Sequence, residues 1–216
     1  MSERAQEKSR EELDEREFPQ ANVSNPSVVK ILFAAGQCFA EHGYEKTTTK
    51  EIAQRAGVSK SLLHYHFESK EHLLYELQDL LFNLTKERIR NYSLKGEPSI
   101  ERAIATLDMV WRLICKNDNF IFFGLDLWNL AGKYPALQEH HRKFMRSIVA
   151  FVEEAARDAL GPVADQLAIP VSRLAQLLVA TIPGFAMRLQ VDAEGAQQAF
   201  DDFKDLLTKL ITVPSA

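Results

Sequence analysis

Apolar residues in this chain recur every third or fourth position and nowhere alternate over a strand-length run, which is the signature of helices throughout. Val28, Ile31, Leu32, Ala35, Cys38 and Phe39 predict a first helix over Ser27–His42, terminated by Gly43. Two short helices fit between Thr48 and Phe67. A long one then runs from Ser69 or Lys70 to about Tyr92, with Leu73, Leu74, Leu77, Leu80, Leu81, Leu84 and Ile89 on its core side. Lys95-Gly96-Glu97-Pro98 breaks the chain. Ile100, Ala103, Ile104, Leu107, Val110, Trp111 and Ile114 mark the next helix, to Lys116, and Asn117-Asp118-Asn119 reads as a turn and cap. Further helices are predicted over Phe120–Leu130, from Pro135 to Leu160 before the stop signal Gly161-Pro162, from Pro170 to Gln190, and over Gly195–Ile211. The fold class is therefore all-α.

The last two helices differ. In the final one Ala196, Ala199, Phe200, Phe203, Leu206, Leu207 and Leu210 share a face opposite Asp201, Asp202, Lys204 and Asp205. The one before it, LAQLLVATIPGFAMRL, is apolar nearly all round, so it must touch a second surface besides its own core.

The stretch from Thr47 to Lys70 carries the most chemistry. Thr48 opens a Thr-x-x-Glu capping box closed by Glu51, and Ile52, Ala53 and Ala56 give that helix a small apolar face. Gly57 supplies the positive φ that ends it, Val58 packs the turn, and Ser59 caps the second helix. In that helix Leu63 and Phe67 face inward, while Lys60, Ser61, His64 and His66 face outward. Two short helices joined by a glycine-containing turn form a helix-turn-helix, whose second helix enters the DNA major groove.

The surrounding residues sharpen this reading. Gly43-Tyr44, Thr47-Thr48, Ile52-Ala53, Ala56-Gly57-Val58-Ser59, Leu63-His64-Tyr65-His66-Phe67 and Ser69-Lys70-Glu71 occur in register, and residues 27–75 resemble the DNA-binding domain of TetR-type (tetracycline-repressor-like) regulators. The resemblance implies a helix-turn-helix domain over residues 25–70, then a larger effector-binding and dimerisation domain over 71–216. It implies that Lys60, Ser61 and Leu62 lie nearest the base edges, and that Thr48, His64, Tyr65, His66 and Lys70 hold the phosphate backbone. Thr49, Lys50 and Ser59 complete the expected surface of contact with a double-stranded operator, where helix-terminal amides also favour phosphate. Two positions depart from the pattern. Leu62 stands where relatives often carry a small polar residue, which favours contact with a thymine methyl. His64 replaces a tyrosine and brings a group that titrates near neutrality. The resemblance also implies a homodimer, joined through the last two helices at Leu178, Ile182, Phe185, Phe203 and Leu207.

Composition adds limits. A net charge of −4 does not advertise nucleic-acid binding, but residues 18–70 hold six Lys/Arg against four Asp/Glu, the only segment with a positive excess. Hydroxyls and backbone amides must share the phosphate work. Residues 1–24 form a charged leader, read as frayed or disordered, whose first 17 residues hold seven acids and four bases; that balance argues against an arm on DNA. The leader is too charged for a signal peptide, and no apolar run reaches membrane-spanning length, so the protein is expected in the cytoplasm, without a membrane partner. Cys38 and Cys115 both fall on apolar helix faces and read as small buried hydrophobes.

The second candidate site is an effector pocket in the helical domain. Trp111, Phe120, Phe122, Phe123, Trp128, Phe144 and Phe151 supply aromatic walls, and Asp108, Asp126, Asn129, His140, His141 and Arg188 supply polar company. Trp111, Phe122, Phe123, Trp128, His141, Phe144 and Arg188 are the expected contacts of a lipophilic or aromatic small molecule. Arg188 has a competing partner in Asp192, one turn away. Two rival functions are weighed against this. A helical-bundle metalloenzyme needs Glu-x-x-His, and no histidine here has glutamate three residues before it. HExxH, a phosphate loop and G-x-S-x-G are absent too, so no enzyme, metal or cofactor is expected. A small-molecule carrier without specific DNA affinity is the other alternative, and footprinting separates it from a regulator.

Overall fold

The computed structural model describes residues 24–93, 96–116, 118–133 and 135–212, and the 1–24 leader lies outside them but for its last residue. The described residues form nine α-helices and no strand: α1 (Pro26–Lys46), α2 (Thr49–Ala56), α3 (Lys60–His66), α4 (Lys70–Ser93), α5 (Ile100–Lys116), α6 (Asp118–Lys133), α7 (Pro135–Leu160), α8 (Val171–Arg188) and α9 (Ala193–Thr212). A short 3₁₀ turn, Gly161–Gln166, follows α7. The predicted turn at 117–119 is largely absorbed into α6.

Local chemistry sets the ends of the first helices. The Asn25 side chain accepts from the Ser27 amide at 2.9 Å, with Pro26 in the first turn, where its missing N–H costs nothing. Gly43 (φ 74°, ψ 162°) interrupts α1 four residues before its cap at Thr47.

Two compact units emerge. The first comprises the described residues up to Thr85 together with Phe122–His141; the second comprises Lys86–Ile121 and the described residues from Arg142 onward. Its first core gathers Val28, Ile31, Leu32 and Cys38 of α1, Ile52 and Ala53 of α2, Leu63, Phe67, and Leu73, Leu74 and Leu77 of α4, joined by Leu127 and Leu130 of α6 and Leu137 of α7. Phe67 is fully buried and alone contributes about 2–3 kcal/mol of burial free energy. The α6 segment thus packs with the helix-turn-helix unit, across the boundary drawn at residue 70 from sequence.

In the second unit Leu160, Ala164 and Val171 pack against Ile100, Ala103 and Leu167. The Ser99 amide donates to the Ala159 carbonyl at 2.9 Å. The Arg102 guanidinium reaches the carbonyls of Gly96 and Asp158. Trp111 stacks on Phe200 of α9 at 4.5 Å, and its Nε1–H donates to Gln197 Oε1 at 2.8 Å. Lys204 pairs with Asp108 at 2.7 Å. Cys38 is buried as expected, and burial pushes its thiol pKa up; Cys115 is exposed, because it sits on the outward side of α5.

Candidate nucleic-acid interface and effector residues

The helix-turn-helix is built from caps and two anchors. Thr48 Oγ1 accepts from the Glu51 amide at 3.2 Å, and Ser59 Oγ accepts from the Leu62 amide at 3.1 Å. Only half of the predicted capping box forms. The Glu51 carboxylate turns instead to His42 Nε2, 3.0 Å away. Gly57, at φ 67° and ψ 33°, donates its amide to the Ala53 and Gln54 carbonyls and lets the chain turn. Leu63 and Phe67 are fully buried, which aims the opposite side of α3 outward.

That outward side presents Lys60, Ser61, His64 and Tyr65, with Leu62 and His66 half-buried. Tyr65 is 81% exposed, an unusual placement for a large ring unless it meets a partner. The His66 ring stands edge-on to Tyr65 at 5.0 Å. Thr48 and Lys50 are exposed at the start of α2, and Thr49 is half-buried. Arg55 is held by Glu41 through two 2.6 Å bonds, which tie α2 to α1 and keep the Glu41 carboxyl below its ordinary pKa range. The candidate surface therefore offers ammonium, hydroxyl, imidazole and phenol groups on a rigid support, the donor types that contact phosphate and base edges.

Lys70 is placed differently from a free phosphate contact. Its ammonium donates to the carbonyls of Tyr44 at 2.8 Å and Thr47 at 3.1 Å, approaches that of Glu45 at 3.4 Å, and lies 4.2 Å from the Tyr44 ring centre. Beside it the Tyr44 hydroxyl donates to Glu71 at 2.6 Å. Burial raises the Glu71 pKa, but bonds from Tyr44, its own amide and Ser69 outweigh that and hold it low; burial and the same carboxylate push the Tyr44 phenol up. The buried Thr47 hydroxyl faces the carbonyls of Gly43 at 2.8 Å and Cys38 at 3.0 Å. Gly43-Tyr44 and Lys70-Glu71, which bracket the motif in sequence, are thus two halves of one latch. Sequence reading assigned Lys70 to DNA and gave Tyr44 and Glu71 no role. The signal was their position at the two ends of the motif.

The effector candidates are not brought together as one set. Trp111 belongs to the second unit, buried against Phe200; its spacing put it inward, and what it meets is α9. Phe144 is half-buried in the same unit, and Arg188 is paired with Asp192 at 2.6 Å. Trp128 and His141 belong to the first unit, their rings edge-to-face at 5.2 Å. The side chains of Phe122 and Phe123, and of Asp126, lie outside the described residues. Among the described residues no group of three or more His, Cys, Asp or Glu side chains is placed to hold a metal ion, and no helix is long and apolar enough to cross a membrane.

Of the expected interface residues, Leu178, Ile182, Phe185 and Phe203 are half-buried within one chain, and Phe185 packs on Phe203 at 5.4 Å. Leu207 is 6% exposed and faces its own core; Leu206, a residue earlier, is 53% exposed. Adjacent helical residues point about 100° apart, so the two cannot share a role. On α8 the exposed apolar residues are Leu177, Pro183 and Met187, continued by Val191.

An all-helical fold with a capped, glycine-turned helix pair at its amino-terminal end and an outward polar face on the second helix defines a helix-turn-helix DNA-binding protein. Residues 31–77 match the family model described as bacterial regulatory proteins, tetR family. The amino-terminal domain of this chain belongs to the TetR family. The chain is 34% identical over 73 residues to the HTH-type transcriptional regulator QacR of Staphylococcus aureus, spanning 34% of this chain and 39% of that protein. It is 42% identical over 48 residues to the HTH-type transcriptional repressor AcnR of Corynebacterium diphtheriae, spanning 22% of this chain and 25% of that protein. These alignments cover well under half of either relative. The transcriptional regulator FadR of Bacillus subtilis, solved in complex with stearoyl-CoA, has a similar fold: TM-score 0.61, 18% identity, 83% of this chain and 96% of that one.

Proposed function

We propose that this chain is a ligand-responsive transcriptional repressor, not an enzyme, that binds a pseudo-palindromic operator as a homodimer in the cytoplasm. The observation that carries the reading is the α2–turn–α3 unit, with Leu63 and Phe67 wholly buried and Lys60, Ser61, His64 and Tyr65 presented together on the other side. Thr48, Thr49, Lys50, Ser59, Leu62 and His66 complete the DNA-facing surface, with Lys70 positioning it from behind. Two such helices would enter successive major grooves about 34–36 Å apart. The name of AcnR supports a repressor, and the bound stearoyl-CoA of FadR supports a small lipophilic effector.

The dimer reading is supported by the exposed apolar line Leu177, Met187 and Val191 on and after α8 and by Leu206 on α9, beside the half-buried Leu178, Ile182, Phe185 and Phe203. Effector binding releases DNA to the extent that the ligand prefers the dimer geometry that fits the operator less well. Genome-wide selection of fragments bound by the full chain tests the proposal. A footprint with two half-sites one helical turn apart is expected; no enrichment over random fragments refutes a regulator and leaves the carrier.

A further inference from the structure

Two buried polar atoms of the first unit have no hydrogen-bond partner: Gln78 Oε1 and His141 Nε2. Gln78 is 5% exposed, and a buried acceptor left unpaired costs about 1–3 kcal/mol, so such a group calls for an explanation. The two belong to one neighbourhood. Gln78 lies one turn after Tyr75 on the same side of α4, and the Tyr75 ring meets His140 at 3.8 Å, the residue before His141. His141 in turn meets Trp128. Burial lowers the His141 pKa, which favours a neutral ring. The surroundings are three aromatic or imidazole rings and the leucines Leu74, Leu77, Leu127, Leu130 and Leu137.

We propose that Gln78 and His141 are the polar anchors of the effector site and select a neutral aromatic alcohol, whose hydroxyl donates to Gln78 Oε1 and forms a second hydrogen bond with His141 Nε2. A hydroxyl suits this pair because it both donates and accepts. An ionised carboxylate has no proton for Gln78, and an ether can only accept. The assignment rests on the effector reading proposed above and narrows it to one chemical class.

The test is calorimetric titration of the full chain, without DNA, with 2-naphthol and with 2-methoxynaphthalene, which share a ring system and differ in the donor. Naphthol should bind about tenfold more tightly, as one buried hydrogen bond allows. Gln78→Met, similar in length but without the acceptor, should bring naphthol down to the affinity of the ether. It should also raise the unfolding midpoint of the unliganded protein. His141→Phe, which keeps a ring beside Trp128, should reduce the naphthol preference independently. Equal affinities in the unmodified chain, or binding of neither compound at millimolar concentration, overturn the proposal. A lowered midpoint in Gln78→Met overturns it too, since the amide would then already be satisfied by water. Fragment selection reads the wider function separately: a chain that selects an operator but ignores the naphthol hydroxyl refutes the anchors alone.

Discussion

Lys70→Met separates two roles that one lysine could have in a DNA-binding domain. The substitution keeps the apolar stem and removes the ammonium, which donates to the Tyr44 and Thr47 carbonyls and lies over the Tyr44 ring. A hydrogen bond from a charged donor contributes roughly 1.5–3 kcal/mol net, and a cation–π contact at an exposed site about 0.5–1. Lys70 is only half-buried, so water can reach the abandoned carbonyls, and the lower end applies: about 2 kcal/mol in all. For a chain of this length each kcal/mol moves the midpoint by about 2–4 °C, so thermal unfolding followed by circular dichroism should show a fall of about 4–8 °C. The salt dependence of operator binding is the second readout. A latch leaves the slope of log affinity against log salt nearly unchanged, whereas a phosphate contact lowers it by about 1. An unchanged midpoint together with a slope reduced by about 1 would refute the latch and restore Lys70 to the DNA-facing surface.

Three further outcomes are expected. Gly57→Ala meets no neighbouring atom within 4 Å, so its cost is the positive φ alone, about 1 kcal/mol by denaturant unfolding; no loss of stability would show that the turn adapts. Leu206→Glu should yield a folded monomer in sedimentation, because the residue is exposed in the single chain, whereas Leu207→Glu should unfold the protein; a folded monomer from Leu207→Glu would reverse the assignment. The Glu71 carboxyl is held below its unfolded value of 4.5, so its stabilising contribution is full above that pH and is lost as pH falls through the lower folded value. Glu71→Gln should flatten the stability–pH curve below about pH 4.5, and a curve of unchanged slope would mean that this carboxylate is not depressed.

What the sequence determined by itself is what depends on near neighbours. Helix periodicity, the Thr48 and Ser59 caps, the Gly57 turn and the Leu63/Phe67 anchors each involve residues within about one turn of one another, so a short window contains all the interacting groups. The DNA-facing side of α3 follows from the same window, because burying one side of a short helix exposes the other. Tertiary structure decided whatever joins distant residues. The Lys70 bond to Tyr44 spans 26 positions and the Trp111 bond to Gln197 spans 86, and no periodicity encodes which of a residue's neighbours will be a carbonyl, a ring or water. The same holds for sorting one apolar face into core and outer surface. Leu206 and Leu207 are the same residue type on one helix, and only the packing of α9 on its own chain buries one and leaves the other exposed.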